Sequence, residues 1–190
     1  MDTYVDKLID TLHKVTIYDK SHTAFCSYTV GMQVMIKALC AARERQGCVF
    51  FIGNGGSAAI ASHMTADFMK NGGMRTCSLM EHSVLTCMGN DYGYEYVYAE
   101  QLKYLGREGD VLIAISSSGN SENILNAVRA ARDKKMEVMS FTGFRPDNQL
   151  LLMGDYQIFV PSEKYGFVES IHNLMLQQIV DELSEGGKAE

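Results

Sequence analysis

Several things are scarce in this chain. Only two of its 190 residues are proline, Pro146 and Pro161, and there is no low-complexity or linker-like tract. Nothing therefore divides the chain, and one domain over 1–190 is the simplest partition. No apolar run reaches the length of a membrane span. The first ten residues carry acids and lack the basic start and apolar centre of a signal peptide. There is no excess of basic charge either. The formal net charge is -6, which argues against broad nucleic-acid binding. The five cysteines form no C-x-x-C pair, so the expectation is reduced core thiols in a cytoplasmic protein.

What remains is ordinary globular material. Hydrophobic residues make up 46% and charged residues 21%, enough apolar chain for a sizeable core. Residues 4–45 hold no proline and a single glycine. Val5, Leu8, Ile9 and Leu12 recur at helical spacing, as do Val30, Val34, Leu39 and Ala42. Two long helices are expected over 1–46, or one broken near Lys20-Ser21, with a serine capping the second. Part of this region is expected to pack against another subunit.

From residue 47 to 184 the pattern alternates. Short apolar runs at 49–52, 76–79, 110–115, 137–141 and 156–160 read as strands. The segments 57–69, 94–105, 122–133 and 167–183 read as helices. Such alternation predicts an α/β fold with a parallel five-stranded sheet covered on both faces. Folds of this kind bind ligands at the carboxyl ends of their strands.

Two loops stand at strand-to-helix junctions. Gly53-Asn54-Gly55-Gly56-Ser57 brings backbone N–H groups close to whatever lies above it, at a helix N-terminus that favours an anion. Ser116-Ser117-Ser118-Gly119-Asn120-Ser121 offers four hydroxyls at one point. Neither loop holds a lysine or arginine, so neutral donors and helix dipoles must carry the anion. Each loop alone reads equally well as a capped tight turn; the two together point to a phosphate or sugar phosphate. The nucleotide P-loop and the dinucleotide fingerprint are both absent.

The segments 51–58, 116–121 and 88–93, with Gly106-Arg-Glu-Gly-Asp-Val-Leu112, resemble the sugar isomerase (SIS) domain, in its phosphoheptose isomerase branch. The resemblance covers nearly the whole chain. It implies a flavodoxin-like fold, a homotetramer with sites at subunit interfaces, and conversion of sedoheptulose 7-phosphate to a heptose 7-phosphate. It further implies that Ser57, Ser116, Ser117, Ser118 and Ser121 hold the phosphate or nearby hydroxyls. Asn54, Gly55 and Gly56 would line the sugar, and Asn90 and Asp91 would contact it from a third loop.

Moving a proton between C1 and C2 of a sugar needs a base, an acid and an oxyanion stabiliser. His63 and Asp67 lie four apart, on one face of the helix after the first loop. Glu169 and Gln177 lie eight apart in the last helix. In phosphoheptose isomerases the matching four positions are His, Glu, Gln and His. They bind zinc, and the second and fourth serve as base and acid. Three of the four differ here, and an amide at Gln177 cannot shuttle a proton near neutral pH. The set His63, Asp67, Glu169, Gln177 is therefore expected to hold zinc or another divalent ion with altered roles. Asp67 or Glu169 would be the base and His172 the acid. The alternative is a sugar-phosphate-binding or protein-assembly module with weak catalysis. The tyrosines at 92–104 read as interface or core packing.

Overall fold

The computed structural model describes residues 2–186. Six strands form one sheet in the order β1-β6-β5-β4-β2-β3. They are β1 (Thr16–Tyr18), β2 (Cys48–Ile52), β3 (Arg75–Ser78), β4 (Val111–Ser116), β5 (Glu137–Thr142) and β6 (Tyr156–Phe159). The five strands from β2 onward are mutually parallel, as the alternating sequence predicts. β1 was not expected. It pairs antiparallel with β6, Ile17 opposite Ile158, and closes the sheet edge.

β1 also corrects the reading of the N-terminal region. Two helices are present, α1 (Tyr4–Leu12) and α2 (Tyr28–Glu44), but a strand separates them. Three residues of strand are too few to show a period against flanking helices. The cap of α2 is Ser27, whose hydroxyl accepts from Val30 N–H at 3.3 Å, and not Ser21. The remaining helices are α3 (Gly56–Lys70), α4 (His82–Tyr92), α5 (Ala99–Leu105), α6 (Glu122–Asp133) and α7 (Tyr165–Gly186).

Alternation along the strands splits the core in two. Phe51, Ile113, Phe141 and Ile158 face one side, against Met35 and Leu39 of α2, Met64 and Phe68 of α3, and Met175 and Ile179 of α7. Phe50, Ile52, Leu112 and Val138 face the other, against Leu102 of α5 and Ile124, Leu125 and Val128 of α6. β4 runs down the middle with all six residues buried. Burying a side chain such as Phe51 is worth about 1.5–3 kcal/mol, so these two layers dominate stability. Cys40, Cys48 and Cys77 are half-buried and pack against these layers, while Cys26 and Cys87 are exposed, which corrects the expectation of core thiols for those two.

The strand order reverses between β2 and β4, which are hydrogen-bonded neighbours. In an open parallel sheet that is where a crevice opens beyond the carboxyl ends. The glycine loop follows β2 and the serine loop follows β4, so the topology brings them together.

Candidate active site

Helix starts show what the crevice is built for. α1, α2 and α4 begin with side-chain caps from Thr3, Ser27 and Glu81. α3 and α6 do not: Gly55 has no side chain to give, and the Ser121 side chain makes no cap hydrogen bond. Both open helix ends meet at the reversal point, where free N–H groups and the helix dipoles favour an anion. Gly55 has φ +55°, a conformation that suits glycine.

Between the two loops lies a cavity of about 110 Å³. Asn54 and Ser57 line one side, Ser116, Ser117, Ser118 and Ser121 the other, and Glu169 with Tyr165 closes it from α7. The Ser117 hydroxyl is buried and has no hydrogen-bond partner in the protein. Such a group is costly unless something else satisfies it. Backbone bonds hold the serine loop: Gly119 N–H donates to Ser116 O at 3.0 Å, and Gly143 N–H to Ser117 O at 3.0 Å. Gly119 has φ +62°, and a Cβ there would fall 2.0 Å from Asn148 Oδ1. Glu169 lies over Gly56, both carboxylate oxygens 2.6 Å from where a Cβ would stand. Only glycine lets that carboxylate reach the start of α3.

The second cluster lies further down the same two helices. His63 Nε2 is 3.2 Å from Asp67 Oδ2. Gln177 Nε2 donates to Asp67 Oδ2 at 2.9 Å and lies 3.3 Å from His63 Nε2. His63 is open to solvent, its side chain 58% exposed. At 1.5 Å per residue, the seven positions from Gly56 to His63 span about 10 Å.

Thus the expected set of four divides. His63, Asp67 and Gln177 come together, while Glu169 turns into the serine cavity. Among the described residues no group of three His, Cys, Asp or Glu side chains could hold a metal ion. Gln177 also turns the donor end of its amide toward Asp67 and His63, where a ligand would turn its oxygen. This donor set does not fit zinc, which takes four ligands in a closed structural site and three in an open catalytic one.

Three expected residues are elsewhere. His172 is wholly buried, its Nε2 3.0 Å from Thr142 O and its ring edge-on to Phe141. Burial pulls its pKa down to about 4. It faces the core, not the cavity, and is not placed to be the acid. Its spacing from Glu169 suggested a shared site, but a helix turns the third residue far enough to enter the packed layer. Asn90 and Asp91 lie on α4, not in a loop, and do not line the cavity. There Asn90 Nδ2 donates to Asp91 Oδ1 at 2.8 Å, and Cys87 Sγ lies 3.6 Å from Asp91 Oδ2.

The sequence reading missed two contributors. Tyr165 lies at the cavity edge, its ring set edge-on against Phe144 at 4.7 Å. Its position four before Glu169 was the available signal. Asn123 is 3% exposed and exchanges two 2.9 Å hydrogen bonds with Asn54; a buried asparagine just after the serine loop was the clue.

Known proteins share this fold. The SIS domain family matches residues 27–143. A phosphoheptose isomerase of Bordetella avium (strain 197N) is 34% identical over 188 residues, covering 91% of this chain and 94% of its own length. Two solved structures are similar. That of phosphoheptose isomerase from Neisseria gonorrhoeae has a TM-score of 0.77 and 33% identity, covering 82% of this chain and 86% of its own. That from Francisella tularensis has a TM-score of 0.83 and 28% identity, covering 96% and 95%. With a matching fold and these relatives along nearly its full length, the chain belongs to the SIS domain family, in its phosphoheptose isomerase branch.

Proposed function

We propose that this chain is an aldose–ketose isomerase that converts sedoheptulose 7-phosphate to a heptose 7-phosphate. The observation that carries the reading is the meeting of two open helix ends and five serines at the sheet's reversal point, with the Ser117 hydroxyl unpartnered. The phosphate sits there. Neutral donors bind it, as the loops contain no cation.

The open-chain sugar then runs along the seam between α3 and α7. Seven carbons have a length comparable to the step from Gly56 to His63. With the phosphate in the cavity, the hydroxyls next to it meet Glu169 and the C1–C2 end reaches Asp67 and His63. Asp67 takes the proton from C1, and His63 gives one to the C2 carbonyl oxygen, forming the enediol. Asp67 then returns its proton at C2, while the O1 hydroxyl passes its proton to His63, leaving the aldehyde. Two groups 3.2 Å apart can each serve in turn as donor and acceptor. Gln177 cannot exchange a proton, but its amide holds Asp67 in place. A divalent ion would find His63 and Asp67 as its strong donors, and Gln177 only after its amide turned.

The chain is also expected to associate with copies of itself. Tyr4, Val5 and Ile9 of α1 are 62%, 58% and 44% exposed, and α1 buries no residue in the subunit. A tetramer would cover that face, and sedimentation measures it. No described helix is long and apolar enough to cross a membrane; a cytoplasmic site is part of the proposal.

The test is incubation of the purified protein with sedoheptulose 7-phosphate, followed by NMR of the sugar. The expected result is appearance of the aldose. Binding without conversion would overturn the isomerase in favour of a sugar-phosphate-binding module.

A further inference from the structure

The tyrosines after α4 have no role in the reaction as derived, yet two of them reach the glycine loop. Tyr98 is buried, and its hydroxyl donates to Gly53 O at 2.6 Å. Burial pushes its pKa up to about 12, so it stays a donor. Tyr94, one helical turn earlier, donates its hydroxyl to Asn54 Oδ1 at 2.9 Å. The same oxygen accepts from Asn123 Nδ2 at 2.9 Å, and Asn54 Nδ2 donates back to Asn123 Oδ1 at 2.9 Å.

Count what is left to Asn54. A carbonyl oxygen has two lone pairs, and both are taken. One amide hydrogen is spent on Asn123. A single N–H remains for the cavity that Asn54 lines. We propose that Tyr94 and Tyr98 are positioning residues, which clamp the glycine loop and restrict Asn54 to donating one hydrogen to an oxygen of the ligand. Asn54 then recognises an acceptor, such as a phosphate or carbonyl oxygen, and not the proton of a sugar hydroxyl. This rests on the sugar-phosphate reading of the cavity.

Tyr94 is the one to test, because it is 63% exposed and Tyr94→Phe deletes a single surface hydroxyl. The melting temperature should not move. KM for sedoheptulose 7-phosphate should rise about fivefold with kcat within about twofold, the size of one weakened hydrogen bond. A double-mutant cycle separates positioning from general support. If Tyr94 acts through Asn54, then Tyr94→Phe has no further effect on an Asn54→Ala background. Asn54→Asp, which turns the remaining donor into an anion, should weaken binding more than Asn54→Ala does. Multiplicative effects in the cycle, or an unchanged KM in Tyr94→Phe, would overturn the clamp while leaving the isomerase standing. A wild-type protein that neither binds nor converts the sugar phosphate would overturn the site itself, and the clamp with it.

Discussion

The serine cavity and the His63–Asp67–Gln177 cluster lie at two places along the seam between α3 and α7, and they are built by opposite means. The cavity is made of backbone: two loops, two open helix ends and a glycine that admits Glu169. The cluster is made of side chains on regular helix, meeting at 2.9–3.3 Å. Backbone cradles suit an oxyanion of fixed shape, which phosphate is. Side-chain clusters suit proton transfer and can change composition without disturbing the fold. The lesson is a division of labour: the cavity should govern binding and the cluster turnover.

Asp67→Asn tests that division most severely. It keeps the size of the side chain and removes its ability to take a proton. On the proposed roles, kcat should fall by about 10³-fold while KM stays within about twofold, as for loss of a general base. Steady-state kinetics on the seven-carbon substrate reads both. Full activity in this variant would move the chemistry to Glu169 and merge the two regions into one.

Gln177→His sharpens the account of the cluster itself. The change gives His63 and Asp67 a third strong donor in place of an amide that points its hydrogens inward. Zinc affinity, measured by calorimetry on protein stripped of metal, should tighten on the order of 100-fold. A wild-type protein that already holds one zinc per chain would show that the Gln177 amide turns its oxygen toward the ion, and that the cluster is a metal site after all.

The same contrast explains what was legible in advance. The five parallel strands were readable because buried strands are continuous apolar runs, and both loops because glycine and serine crowd at strand ends. Their convergence followed from topology. The cluster was legible only as spacing. Four-apart His63 and Asp67 do face one way, but Glu169 departs to the cavity because Gly56 leaves room for it, a fact held in a different helix. His172 was misplaced for a related reason: spacing along a helix says which residues are near, not which face the core takes. β1 escaped notice because three residues carry no period, and the 82–92 helix because Gly89, Asn90 and Gly93 read as a turn.

Ser118→Ala is the complementary blow to the cavity. It removes one hydroxyl from a neutral anion cradle, worth about 1.5 kcal/mol toward a charged ligand. KM should therefore rise about tenfold with kcat little changed, the reverse of Asp67→Asn. Inorganic phosphate as a competitive inhibitor should weaken in parallel. An unchanged KM would place the phosphate elsewhere and detach the serine loop from binding.

The gentlest test changes the ligand and leaves the protein alone. A five-carbon ketose phosphate, ribulose 5-phosphate, carries the same phosphate but a shorter chain. Anchored in the cavity, its C1–C2 end stops two carbons short of Asp67. Its affinity should lie within about threefold of the seven-carbon sugar, because the phosphate supplies most of the binding, yet it should not turn over. Competition and direct assay measure the two separately. Efficient conversion of the short sugar would mean that chemistry occurs beside the serines, and that distance along the α3–α7 seam does not select chain length. Binding without turnover would show the opposite: the α3–α7 seam acts as a ruler, with phosphate recognition fixed at one end and proton transfer held about 10 Å away at the other.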